Sequence, residues 1–280
     1  MNPELSASSI PRVNVLGVGI SDVNMGTALM AVEEAADTPG LLGYVTVTGV
    51  HGVIESQADV GLQRIHNGSY LSVPDGIPMV WMGWMQGHGT MEQVCGPEFM
   101  PALLERGLGD KRRHFLWGGG DGVVEKLSAE LLARHPDLVI VGTETPPFRP
   151  LTESEELDLV ARIRELKPHF FWVGLSTPKQ ERFMSGFLAR HADQLRFENQ
   201  GMLLFGVGAA FDFQAGLVKE APRWIRGSGF EWLFRMAMDP KRLWRRYLRN
   251  NPRFLAGSFA QLSGLREYPL DGLPEADQLK

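Results

Sequence analysis

The sequence predicts an α/β fold of Rossmann-like type: a mostly parallel sheet with helices on both faces, followed by a basic helical appendage. Three observations carry this expectation. From Arg12 to Gly208, short β-rich apolar runs alternate with helical stretches. Those runs are continuously apolar, as strands covered on both faces must be. After Gly208 the strand pattern stops, and Trp, Arg and Pro accumulate.

Element by element, VNVLGVGI at 13–20 reads as the first strand and residues 25–36 as the first helix. GYVTVTGV at 43–50 is β-branched and strand-like. Residues 53–66 read as one helix, and YLSVPDG at 70–76 as a strand ending in a turn. Helical segments follow near 78–86 and 97–106. HFLWGGG at 114–120 is a strand running into glycines, with a helix at 122–134. LVIVGTETPP is a strand entering a loop, and residues 152–166 form a helix whose TESE start suits a capping box. HFFWVGL at 169–175 is a strand, Pro178 opens the next helix, and MLLFGVG at 202–208 is the last strand. Residues 1–11 read as a flexible lead, 12–214 as the α/β domain, 215–263 as the appendage and 264–280 as a polar, frayed tail.

Bulk properties narrow the function. With 280 residues and 44% apolar content, a sizeable core can be buried. A single cysteine, Cys95, excludes an internal disulfide and a cysteine-cluster metal site. No uncharged apolar run is long enough to span a bilayer, and the start lacks a secretory pattern. A cytoplasmic protein, soluble or peripheral on the inner face of the membrane, is expected. The net charge of −5 is uneven: residues 219–253 hold ten Lys/Arg against three Asp/Glu, a surplus of +7 that leaves −12 on the remainder. Such a block faces a polyanion or an anionic lipid surface.

Ligands of open parallel sheets sit at the carboxyl ends of the strands. Asp75, at the tip of the strand ending in Pro-Asp-Gly, could deprotonate a sugar hydroxyl, although Pro-Asp-Gly is also a common turn. Other strand ends offer donor-binding candidates: Thr46, Thr48 and His51; Gly118 and Gly119; Lys179, Gln180 and Glu181; Gly208 and Asp212. Glycines there admit close backbone approach, but each segment can equally be a tight turn or an ordinary helix cap. Neither GxGxxG nor a Walker A motif occurs, and no histidine pair has metal-ligand spacing, so no metal and no cofactor are expected. Arg223, Arg226 and Arg235 are placed to meet diphosphate charge. Leu243, Trp244, Tyr247 and Leu248 read as one face of a helix carrying Arg242, Arg245, Arg246 and Arg249, which suits an anionic membrane surface. An oligomer contact is the other use of that helix, and nucleic acid is disfavoured by the acidic remainder. The residues alone also leave a nucleotide-dependent oxidoreductase and a non-catalytic membrane adaptor open.

Seven segments in order carry a resemblance: TVTGVHGV (46–53), LSVPDGIPMVW (71–81), VCGPEFMPALL (94–104), FLWGG (115–119), VGLSTPKQERFM (173–184), FGVGAAFDFQAG (205–216) and the contiguous run 221–255. Together they resemble the WecG/TagA/CpsF glycosyltransferases, also called glycosyltransferase family 26, across roughly residues 13–255. The resemblance implies an inverting, metal-independent transferase. It implies a UDP-sugar donor, of N-acetylmannosamine type or glucose, and an undecaprenyl-diphosphate-linked acceptor in cell-surface polysaccharide synthesis. It places the general base on Asp75 and makes the basic appendage complete the site and touch membrane. Two departures stand out: Thr48 replaces an asparagine of the pattern TPNAEH, and Gly96-Pro97-Glu98 stands where many relatives have GxD.

Overall fold

The computed structural model describes residues 10–218, 221–222, 225 and 231–273. In chain order the elements are β1 (Arg12–Val15), β2 (Val18–Ser21), α1 (Met25–Asp37), β3 (Leu42–Thr48), α2 (Val50–Ser56), α3 (Val60–Asn67), β4 (Leu71–Pro74), α4 (Ile77–Met85), α5 (Gly96–Arg106), β5 (Arg113–Gly118), α6 (Val123–Arg134), β6 (Val139–Glu144), α7 (Glu153–Leu166), β7 (Phe170–Gly174), α8 (Lys179–Leu195), β8 (Met202–Gly206), α9 (Ala210–Gln214), α10 (Glu231–Met238) and α11 (Pro240–Leu262).

Six strands form one parallel sheet in the order β4-β3-β8-β7-β5-β6. Successive side chains alternate between its faces. In β7, Phe170 and Trp172 enter the core under α1, α5, α6 and α9, while Phe171 and Val173 enter the core under α7 and α8. Both faces are therefore apolar, which explains the unbroken apolar runs. Aromatic stacking knits the first core, with Trp172 and Phe205 rings 4.6 Å apart across β7 and β8. No helix among the described residues is long and apolar enough to cross a membrane.

Three sequence expectations change. The run 13–20 is not a sheet strand but an antiparallel hairpin, β1–β2, turned by Leu16 and Gly17, both at positive φ. It lies beside edge strand β4, where Ser21 Oγ accepts from Ser72 N, and so shields an otherwise open edge. The expected helix over 53–66 is two helices, because Asp59 stops the first and caps α3 by accepting from Leu62 N. The expected frayed tail is pinned as far as Asp271: Asn14 Nδ2 donates to Tyr268 O and Asn67 Nδ2 to Asp271 O. Helix α7 starts as read, with Thr152 and Glu155 forming a reciprocal capping box.

A smaller apolar cluster joins the hairpin, α2, α4 and α11 through Val15, Ile20, Val53, Met79, Met82 and Phe254. Gln261 reinforces it, accepting from Leu16 N and donating to Asn14 O. Helix α11 is thereby seated on the α/β body along its length. Its face differs from the sequence reading: Leu243 is buried, whereas Trp244 and Leu248 are exposed. The helix has one apolar row turned to the protein, with Leu243 and Phe254, and another turned outward.

Candidate active site

Central neighbours β3 and β8 send their chains to opposite faces of the sheet. β3 leads through α2 into α3, which packs with α8, and β8 leads into α9, which packs with α5 and α6. Ligands of open α/β sheets bind in the crevice at such a switch point.

On one side of the crevice stands Asp75. Its N–H donates to Thr48 O at 2.9 Å, continuing the β3–β4 pairing one residue past the strand. Gly49 makes this possible. A Cβ there would lie 2.6 Å from Asp75 O and 3.4 Å from Asp75 Oδ2, so the carboxylate rests against the start of α2. The half-buried Asp75 thus stands at the strand tip. Beneath it, Ser72 Oγ donates to Thr48 Oγ1 at 2.8 Å, and Thr48 Oγ1 donates to Thr46 Oγ1 at 3.0 Å. His66 Nδ1 lies 3.1 Å from Thr48 Oγ1. Burial pushes His66 down to about 4, so it is a neutral member of this network. Thr46 and Thr48 are fully buried and form a layer supporting the strand tips.

His51, at the start of α2, is occupied on both ring nitrogens. Asn250 Nδ2 of α11 lies 2.9 Å from its Nδ1, and the ring also hydrogen-bonds the backbone of Thr177 in the loop before α8. Burial first, and the charge of Arg246 second, push His51 below its ordinary value, against the opposing pull of Glu55. This favours the neutral imidazole. Arg246, half-buried on α11, has no hydrogen-bond partner for its buried Nε. Its guanidinium lies 5.4 Å over the Tyr247 ring and its charge is felt at His51, while its neighbour Arg245 lies over the exposed Trp244 ring.

Across the crevice, Gln180 Nε2 donates to Gly206 O at 3.0 Å. Thr177 Oγ1 donates to Glu181 Oε1 at 2.8 Å. Glu181 is fully buried, and that burial raises its carboxyl above the usual range. Gln180 Oε1 and Glu181 Oε2 are buried acceptors without partners, and such groups are costly unless something donates to them. Gly208, at φ +52, lies against Gln180 Oε1, a Cβ there standing 3.4 Å from it. Asp212 lies half-buried in the first turn of α9. Arg235 of α10 lies 5.3 Å over the Phe213 ring of α9, which brings α10 to the β8 side.

Other candidates sit elsewhere. Gly118 and Gly119 lie at the end of β5, three strands from β3. Gly118 has φ +138, and a Cβ would meet Gly174 N at 2.5 Å; Gly119 N–H is spent on Gly174 O. Lys179 points outward, its Nζ 4.6 Å over the exposed Phe148 ring. Arg249 is exposed on α11. Arg223 and Arg226 lie outside the described residues, as does the side chain of Arg242. No cluster of His, Cys, Asp or Glu able to hold a metal occurs among the described residues. Sequence reasoning missed Asn250, Ser72 and His66. Asn250 had a signal: it falls at seven and four residues from Leu243 and Phe254, a polar residue on an apolar row.

A family model described as the Glycosyl transferase WecG/TagA/CpsF family matches residues 13–268. The N-acetylglucosaminyldiphosphoundecaprenol N-acetyl-beta-D-mannosaminyltransferase of Staphylococcus aureus (strain MW2) is 28% identical over 253 residues, covering 89% of this chain and 92% of the relative. The Bacillus subtilis (strain 168) protein of the same name is 28% identical over 177 residues, a match spanning 63% of each chain.

Proposed function

The chain belongs to the WecG/TagA/CpsF family of glycosyl transferases, and on that premise we propose that it moves a sugar from a UDP-sugar to an undecaprenyl-diphosphate-linked sugar. The names of its relatives favour an N-acetylmannosamine-type donor over glucose. The reaction is a single displacement with inversion and no metal. The observation that carries the reading is Asp75, a half-buried carboxylate at a strand tip beside the switch-point crevice.

In this mechanism Asp75 takes the proton of the acceptor hydroxyl as that oxygen attacks the anomeric carbon. The bond to the UDP oxygen breaks on the opposite face, and UDP leaves with added negative charge. Arg235 and Arg246, with Arg223 and Arg226, meet that charge. The buried acceptors of Gln180 and Glu181 take donor hydroxyl or base N–H groups. Gly208 and Asp212 line the same end of β8. We propose the division 12–214 for the catalytic domain and 215–263 for an appendage that also docks on anionic membrane through Trp244, Arg245 and Arg249 of α11. The enzyme then works peripherally on the cytoplasmic face.

The test is Asp75→Asn, which keeps shape and removes the base. Product analysis with UDP-N-acetylmannosamine and a short-chain lipid-diphosphate acceptor should show turnover down about 100- to 10,000-fold. Near-normal turnover by the folded variant would make Asp75 a turn residue only. Full activity in EDTA is the companion expectation, and a strict Mg²⁺ requirement would contradict it.

A further inference from the structure

Helix α4 starts two residues after Asp75 and reads IPMVWMGWM, with no charged residue anywhere in it. Such a helix should be buried all round. It is not. Met79, Val80 and Met82 are buried, but Trp81 is 47% exposed, Trp84 51% and Met85 59%. These three fall at i, i+3 and i+4, on one face. The Trp84 Nε1–H is already satisfied by Met91 O at 3.0 Å, so its ring meets the outside with no polar demand of its own. Scattered apolar residues on a surface are ordinary, but two tryptophans and a methionine in one row on a charge-free helix are not.

The neighbourhood indicates what covers this face. Met79 and Met82, on the inner side of α4, share one packed cluster with Phe254 of α11. The two helices therefore border the same small core. On α11 a second exposed row runs along Trp244, Leu248, Leu255 and Phe259, beside Arg245 and Arg249. Indole rings at an apolar surface next to arginines match the boundary between lipid headgroups and acyl chains.

We infer that α4 is a second membrane-contacting element, which sinks Trp81, Trp84 and Met85 into the bilayer interface and thereby holds the Asp75 tip of β4 at the depth of a lipid-linked acceptor. This rests on the acceptor class proposed above. Anionic lipid recruits α11 through charge; α4 contributes apolar insertion, which salt does not screen.

The experiment compares the full-length protein with Trp81→Ser/Met85→Ser, which spares the Trp84 hydrogen bond and the α4 core. Binding to phosphatidylglycerol–phosphatidylcholine vesicles is measured by sedimentation at low and high salt, with sedimentation velocity reporting self-association. Melting temperature should be unchanged. The expected result is about tenfold weaker vesicle binding that persists at high salt, with normal turnover of a soluble short-chain acceptor. Unchanged vesicle binding overturns the proposal. So does a wild-type oligomer that the double variant dissociates, since the face would then be covered by a second copy. Turnover of the soluble acceptor stands apart from all these outcomes: its absence in the wild type would defeat the proposed reaction, whereas its presence without vesicle binding defeats only the role of α4.

Discussion

Asn250 of α11 hydrogen-bonds His51 of α2 at 2.9 Å, joining residues 199 positions apart in the chain. The bond spans from the appendage to the tip of β3, and His51 carries it on to the backbone of Thr177. The appendage is therefore wired to both banks of the crevice through one imidazole. Asn250→Ala should destabilise the fold by about 0.5–1.5 kcal/mol in urea unfolding, the scale of one hydrogen bond, because the half-buried His51 ring loses its partner on α11. It should also reduce turnover without altering the secondary structure seen by circular dichroism. A variant as stable and active as wild type would show that the contact is incidental.

Adjacent arginines on α11 should separate cleanly. Arg246 is half-buried, its charge is felt at His51 and its buried Nε has no partner, whereas Arg245 is exposed and lies over exposed Trp244. Arg246→Ala is expected to lower turnover of a soluble acceptor by about tenfold or more, the scale of one charge-assisted hydrogen bond. Arg245→Ala should leave that turnover intact and weaken binding to anionic vesicles at low salt only, by about 1 kcal/mol. Equal effects of both on both assays would refute the division.

Glu181 offers a different readout. Its carboxyl is buried and raised, and removing the charge by Glu181→Gln relieves that burial. Stability in urea should hold or rise, while UDP affinity in calorimetry falls about tenfold, since the buried acceptor Oε2 is replaced or reversed. Loss of stability with unchanged UDP affinity would make the residue purely structural.

Acidification should destabilise the fold through three buried histidines. His66, His114 and His169 are held at about 4, about 3 and about 4, below the ordinary 6.5, chiefly by burial. The unfolded chain takes up these protons near pH 6.5 and the folded chain only lower down. Stability is therefore full above pH 6.5 and declines as pH falls toward 4, by at most about 1.4 kcal/mol per pH unit for each group. His66→Asn should flatten part of the urea-unfolding slope between pH 6.5 and 4. An identical slope would mean that His66 does not titrate on unfolding.

Much of this was legible in advance because the signals were local. Continuous apolar runs such as FFWVG announced strands covered on both faces, and TESE announced the start of α7. What stayed hidden was set by partners far along the chain. Nothing near Val13 says that its run folds back at Leu16–Gly17, since a hairpin and a straight strand share the same apolar pattern. The two apolar rows of α11 were merged into one, because helical spacing tells which residues are neighbours and not which row meets protein. At the candidate site, strand-end logic reached Asp75, Gln180 and Glu181. It did not reveal that the hydroxyls of Thr46 and Thr48 turn inward to Ser72 and His66, or that both nitrogens of His51 are occupied.

The clasp between the hairpin and the segment after α11 imposes an order on synthesis. Asn14 leaves the ribosome early, yet its carbonyl and its amide find Gln261 and Tyr268 only 247 and 254 residues later. At about 5–20 residues per second the hairpin waits on the order of tens of seconds for these partners. Until α11 has been made, His51 lacks its Asn250 partner and the cluster of hairpin, α2 and α4 lacks Phe254. The α/β body can condense while translation continues, but the contacts of α11 with it form only after α11 has emerged.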